Sequence, residues 1–451
     1  MGTGSGAKLV ADALDHGMTA ALVDKGPVGS TCLNVGCIPT KMMIFPADRV
    51  MEIREAARFW IQAQISDINF SRIMDQVRSH VAKSHDRIRK GLQQARDFDF
   101  YSGQARFTGD YTLEVNGRTI RGGMIFLASG ARPFIPPIEG LDAITYLTNE
   151  SVLQLRQRPE SLVIIGGGYI AVEFAHFFEA MGTRVTIIQR NDRLVPQEEP
   201  EISALLEKSL ARRLEVLTGT AAVAVHRDGQ ELTLVAEDRK SGERRRITAS
   251  HVLLAAGRAS NADLLQVEKT GVDTETNGYI RVNEYLETSK KNIWAFGDAI
   301  GRQMFRHAAN FEVDLVWDNA VHGEKEPMNF SLVPHAVFSW PEIASVGLTE
   351  QQAIAEAGER EILVGQAFYS EVARGKAMME MESFAKAVVD AESGKILGFH
   401  LIGPQASILI QEVVNAMAID ADLWALARGM HIHPALSEVI LKTLGNLRPV
   451  A

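Results

Sequence analysis

Two segments of this 451-residue chain repeat one supersecondary pattern. Near the start, "GTGSGA" leads into an apolar-periodic stretch from Lys8 to Gly17, and the run "TAALVD" then ends in Asp24. Around residue 162, "LVII" enters "GGGYIA", "VEFAHFFEAMG" follows at helical spacing, and "RVTII" closes the unit. Each reads as strand, glycine turn, helix and strand, the arrangement that binds a dinucleotide. Glycine lets the backbone turn tightly and approach a pyrophosphate, whose charge then faces a helix N-terminus. One such turn arises by chance. Two in the same context predict two parallel-sheet units and two nucleotides.

The residue at the end of each closing strand separates the two sites. Asp24, at Gly2 plus 22, places a carboxylate where a ribose 2′-hydroxyl would donate to it. The matching position after Gly166 is Gln189, with Arg190 and Arg193 following. A missing carboxylate and two guanidiniums suit a 2′-phosphate better than a hydroxyl, although the same residues also suit a solvated basic turn. Ala171 stands where a third glycine would be expected, and it points the same way.

Elsewhere, "FLASGARP" with Gly130 and "LLAAGRASN" with Gly257 read as apolar strands that end in glycine turns and cross between domains. "NIWAFGDAIG" reads as a buried strand ending at Gly297 and Asp298. Residues 71–97 read as a basic amphipathic helix, and "DRKSGERRR" reads as a hairpin turn with exposed charges and no assigned role.

A net charge of −9 argues against a nucleic-acid or acidic-membrane partner, since both need a basic face. The opening "MGTGSGAKLVADALDHG" has neither the basic start nor the apolar run of a signal peptide. The longest apolar stretch holds three glycines and Glu173, unlike a membrane span. A cytoplasmic protein is expected.

Only two cysteines occur, both in "STCLNVGCIPTKM". That count excludes a disulfide-framed scaffold. In an ideal helix, residues five apart have Cα atoms roughly 8–9 Å apart, whereas a disulfide tolerates about 7 Å. Cys32 and Cys37 can therefore bond only across an irregular turn, which Gly36 and Pro39 permit. A bond of that kind suits being made and broken. A metal site would need two further ligands and has no other cysteine to draw on. In "HIHPALSE", Pro434 biases His433 toward an extended backbone and starts a helix in which Glu438 can orient the imidazole. His431 lacks that setting and reads as structural.

The segment "GSTCLNVGCIPTK" resembles the redox-active signature of the class I flavin-dependent pyridine nucleotide–disulfide oxidoreductases. The resemblance runs through both glycine motifs, "FGDAIG" and "HIHPALSE", and so over essentially the whole chain. It implies an α/β fold with two Rossmann-like domains, for FAD and NAD(P), and a C-terminal α+β dimerisation domain. The implied divisions are an FAD-binding domain at 1–142, an NAD(P)-binding domain at 143–258, a second FAD-binding part at 259–330 and a dimerisation domain at 331–451.

By the same resemblance, Gly2, Gly4, Asp24, Gly130 and Asp298 would bind FAD. Gly166, Gly168, Gln189, Arg190 and Gly257 would bind the nicotinamide dinucleotide, with NADP favoured over NAD. Tyr169 would gate the flavin, and Lys41 would pair with Glu173 beside it. Cys37 would be the thiolate facing the flavin, Cys32 the interchange thiol, and His433 with Glu438 the acid–base pair reaching in from the partner subunit of a homodimer. The flavour of "GYIAVEFAHFFEAMG", "HAANFEVD" and "IHPALSE" is most like mycothione reductase and its dihydrolipoamide dehydrogenase-like relatives, and a dihydrolipoamide dehydrogenase-type activity, on a small dithiol or a lipoyl domain, is expected as the broader one. An NADPH-dependent disulfide reductase of the mycothione reductase kind is the alternative, and a mainly structural flavoprotein subunit of a lipoyl-bearing complex the third reading. "LGNLRPVA" carries no cysteine, unlike the C-terminal redox pairs of mercuric reductases and the larger thioredoxin reductases. The first glycine turn also calls for about six strand residues before Gly2, so an upstream apolar segment is expected.

Overall fold

In the second glycine unit the strand Ser161–Ile165, apolar after its first residue, is buried at every position, as a central parallel strand must be. It lies between Arg184–Ile188 and His251–Leu254, and Glu215–Leu217 completes a four-stranded parallel sheet. The Tyr169–Ala180 helix packs Phe174, Phe177 and Phe178 onto this sheet. A three-stranded antiparallel sheet, Thr220–Asp228, Glu231–Asp238 and Arg244–Ala249, covers its other side. This computed structural model describes residues 2–450 except Arg96 and Gln230.

The first unit is built from two parallel pairs. Ala20–Asp24 pairs with Phe98–Ser102, and Ile125–Leu127 pairs with Ile293–Ala295; among the described residues no ladder joins the pairs. The Gly2 amide donates to the Val23 carbonyl at 3.0 Å, and the Ala7–Asp15 helix follows the turn. The chain crosses between units on a short antiparallel pair, Ala131–Pro133 with Arg258–Ser260, each strand directly after its glycine. The long helices Cys37–Glu55 and Phe70–Gln94 pack against the second unit through Met43, Ala47, Met74 and Val77.

The C-terminal part is a six-stranded antiparallel sheet in which Phe384–Asp390 is buried throughout. The Ala406–Ala418 and Glu438–Gly445 helices pack on it with Leu409, Val413, Val439 and Ile440. Lys386, 4% exposed, moors the sheet to the second unit through Glu199 (3.0 Å) and Glu201 (3.1 Å), and it also pairs with Glu350 (2.6 Å). Burial alone would push its pKa down, but these carboxylates hold it above the ordinary value. No helix among the described residues is long and apolar enough to cross a membrane.

Candidate active site

The cysteine loop is neither one helix nor a simple turn. A short helix, Ser30–Asn34, ends at Val35 (φ −145°), and a new helix, Cys37–Glu55, begins after Gly36. A Cβ at Gly36 would lie 2.9 Å from the Thr31 carbonyl oxygen, so the close approach requires glycine. Asn34 Nδ2 donates to the carbonyls of Val28 and Ser30, both at 2.9 Å, and fixes the preceding bend. Cys32 thereby meets the start of a 19-residue helix, where the Cys37 and Ile38 amides donate to its sulfur.

Both cysteines are free thiols here, Cys32 half-buried and Cys37 exposed, and they hydrogen-bond to one another. That bond lowers the Cys32 pKa to about 7 against the upward push of burial, with the Arg306 charge assisting. The same bond, with burial, pushes Cys37 up, while Lys41 opposes.

One helical turn beyond Cys37, Lys41 Nζ lies 2.5 Å from Glu173 Oε2 and 4.3 Å from the centre of the Phe338 ring. Glu173 Oε1 accepts from the Phe338 amide at 3.1 Å. Tyr169 opens the same helix as Glu173. Its ring stacks on Phe305 (5.9 Å) and His335 (5.5 Å), and its hydroxyl donates to Glu198 at 3.1 Å. Burial of the ring raises the phenol pKa. Glu198, 1% exposed, also bonds His335 Nε2 (2.7 Å) and Ser345 Oγ (2.6 Å). Burial pushes its carboxyl up, yet His335 and Ser345 hold it below the usual range.

The glycines form two cradles. Gly2 sits at φ +113°, where a Cβ would be 2.6 Å from the Ala128 carbonyl oxygen, and a Cβ on Gly4 would be 2.7 Å from Ser30 Oγ. Asp24 accepts from the Thr3 amide and hydroxyl, both at 2.6 Å, and from the Gly26 amide at 2.7 Å. It braces the turn and keeps lone pairs to spare for a ribose. Gly130 (φ +66°) leaves Ser129 beside it, whose buried hydroxyl has no hydrogen-bond partner among the described residues. Burial raises the Asp298 pKa, and its carboxylate is 3.7 Å from Arg258 Nε, itself buried without a hydrogen bond. These unsatisfied polar groups and open backbone fit a bound dinucleotide such as FAD.

In the second cradle a Cβ at Gly166 (φ +120°) would lie 2.1 Å from the Ala255 carbonyl oxygen. Gly168 caps the following helix, and Gly257 (φ +119°) faces open space. Gln189 is 6% exposed and turned inward, its amide donating to the Arg193 carbonyl at 3.4 Å, while Arg190 is exposed.

His433 Nδ1 lies 2.8 Å from Glu438 Oε1, and Glu438 Oε2 accepts from the Ala435 amide at 3.0 Å. His433 is bonded to neither cysteine of its own chain, and its ring is 70% exposed. Pro434 does not start the helix as expected; the helix begins at Glu438, after a turn that the Glu438 carboxylate closes. His431 is held by Glu412 at 3.2 Å and the Gly429 carbonyl at 3.1 Å. Sequence reasoning missed Arg306, Glu198, His335 and Ser129. None of them carried a local signal; Glu198 stands in the polar run "PQEEPE" and reads as an ordinary helix start.

The family model described as pyridine nucleotide-disulphide oxidoreductase matches residues 1–312, and its dimerisation domain matches residues 333–444. The chain is 35% identical to a mycothione reductase of Mycobacterium tuberculosis, over 99% of this chain and 98% of that one. It is 32% identical to a dihydrolipoyl dehydrogenase of Bacillus subtilis, over 98% and 95%. A mercuric reductase of Staphylococcus aureus is 34% identical over 89% of this chain and 73% of its own. Among solved structures, the HOCl-induced flavoprotein disulfide reductase RclA from Escherichia coli superposes with a TM-score of 0.85 at 25% identity, covering 98% of this chain and 97% of that one. The chain belongs to the pyridine nucleotide–disulphide oxidoreductase family.

Proposed function

We propose that this protein is a homodimeric NADPH-dependent oxidoreductase that reduces a small-molecule disulfide through Cys32 and Cys37. The hydrogen-bonded thiol pair at a helix start, with Cys32 lowered to about 7, carries the reading. An interchange thiol must be a thiolate near neutral pH to attack a disulfide. Cys32 is that nucleophile, held by the Cys37 thiol, two amides and Arg306. Once Cys32 is bonded to a substrate sulfur, Cys37 loses its bond to Cys32 and gives its proton to His433, while Lys41 remains to stabilise its charge. Cys37 then attacks Cys32, closes the disulfide and releases the second substrate thiol. His433, steered by Glu438, protonates the leaving thiolate.

FAD, when bound, supplies electron transfer between the nicotinamide and the disulfide. Gly2, Gly4, Asp24, Gly130 and Asp298 would hold it. Gly166, Gly168, Tyr169, Arg190 and Gly257 would hold the nicotinamide dinucleotide. Residues 1–142 and 259–330 would form the FAD-binding domain, 143–258 the NAD(P)-binding domain and 331–451 the dimer interface. His433, exposed within its own chain, would serve the partner's cysteines. A cytoplasmic setting supplies NADPH and keeps the thiols reduced.

Dihydrolipoamide oxidation is the second reading, and the 32% identity to a dihydrolipoyl dehydrogenase supports it. The absence of a carboxylate at Gln189 tips the balance toward NADPH and hence toward reduction. Turnover of small disulfides with NADPH and NADH, beside oxidation of dihydrolipoamide with NAD and NADP, separates the two. Faster dihydrolipoamide oxidation with NAD would overturn the first.

A further inference from the structure

The turn at 239–243, between Glu231–Asp238 and Arg244–Ala249, reaches across to the second nucleotide cradle. The Arg239 amide donates to the Gly219 carbonyl at 2.8 Å, and its guanidinium donates to the Arg190 carbonyl at 3.0 Å. Lys240 Nζ lies 3.3 Å from Asp192. Asp238 Oδ1 accepts from the Lys240 and Ser241 amides and the Ser241 hydroxyl at 2.7–2.9 Å, and its charge also acts on Lys240. The turn is therefore pinned in place by its own bonds.

Arg193 spends one guanidinium donor on the Pro196 carbonyl at 3.0 Å. The Arg190 guanidinium, by contrast, has no bonded partner among the described residues. Three cations, Arg190, Arg239 and Lys240, gather at the end of the Arg184–Ile188 strand beside two carboxylates, Asp192 and Asp238. This occurs in a protein whose net charge is −9, so it is not a general basicity of the surface. Gln189, turned inward, leaves no carboxylate to repel an anion.

We propose that Arg239 and Lys240 are specificity residues that complete, with Arg190, a site for the 2′-phosphate of the adenosine ribose. The inference rests on the NADPH reading above. Arg239 keeps guanidinium donors beyond the one spent on Arg190. Lys240 sits in an exposed pair with Asp192, weak enough to exchange for a dianion and suited meanwhile to mask that carboxylate.

Calorimetry on the FAD-loaded protein with adenosine 2′,5′-bisphosphate and with 5′-AMP isolates the 2′-phosphate. The wild type should prefer the bisphosphate. Arg239→Ala and Lys240→Ala should each cut that preference on the order of three- to tenfold, leaving 5′-AMP affinity unchanged, and Arg239→Lys should restore part of it. No preference in the wild type would sink the NADPH reading, and this proposal with it. A wild-type preference lost in Arg190→Ala but kept in both hairpin variants would overturn this proposal alone. Should Arg239→Ala weaken both probes equally, Lys240→Ala decides, because its side chain holds no backbone: a selective loss supports the site and an unchanged ratio refutes it.

Discussion

His433 Nδ1 and Glu438 Oε1 lie 2.8 Å apart, so the carboxylate settles which imidazole nitrogen is left free to face a reacting sulfur. The same carboxylate is held by the Ala435 amide, and both bonds keep Glu438 below the ordinary carboxyl range. His433→Gln should lower turnover by about 10²–10⁴-fold. Glu438→Gln keeps the ring but loses the charge, and its smaller loss, on the order of tenfold, should fall on turnover rather than on NADPH binding. Steady-state kinetics checks both.

Because His433 bonds neither cysteine of its own chain, two dead variants should rescue one another. Cys32→Ser and His433→Gln chains, unfolded together and refolded, would place an intact cysteine pair against an intact histidine in every mixed dimer. Activity is expected to return in the mixture and in neither parent. A mixture as dead as its parents shows that the histidine acts within its own chain or not at all.

The Cys37 thiol is the largest cause of the lowered Cys32 pKa. In Cys37→Ala, the Cys32 pKa should rise from about 7 toward the free-thiol value, since its largest lowering cause is gone and burial is then opposed only by Arg306 and the two amides. The thiolate fraction at pH 7 falls accordingly, and alkylation of reduced Cys32 by iodoacetamide should slow on the order of tenfold. The pH of half-maximal alkylation should move upward; a downward move contradicts the hydrogen-bond account.

Lys386 neutralises three converging carboxylates, two of them on the second unit. Lys386→Met leaves Glu199, 1% exposed, without that partner. Breaking a buried pair from one side costs about 3–5 kcal/mol. A clear drop in melting temperature is expected, larger than for Lys208→Met, whose pair with Glu382 is exposed on both sides.

These features were not equally legible in the sequence. The second glycine unit was, because its helix is bounded by Gly168 and the runs "LVII" and "VTII" flank the turn and helix as strands should. The break between Cys32 and Cys37 followed from helix geometry and Gly36 alone. The start of the last helix was misplaced, since Pro434 suits a first turn but the Glu438 side chain closes a separate turn before the helix begins. Lys386 and Glu198 were invisible. Their partners lie 187 and 137 residues away in the chain, and only the completed packing of the C-terminal sheet on the second unit brings them together.

The central claim is that electrons from NADPH reach the Cys32–Cys37 pair. It is tested by counting thiols in the oxidised, FAD-loaded protein before and after anaerobic addition of NADPH, with no other reductant present. The account predicts that no reactive thiol is titrated at first, and that two per subunit, the chain's only cysteines, appear afterwards. With Tyr169, Lys41 and the nucleotide cradles intact, an unchanged thiol count after the flavin has been reduced would contradict it.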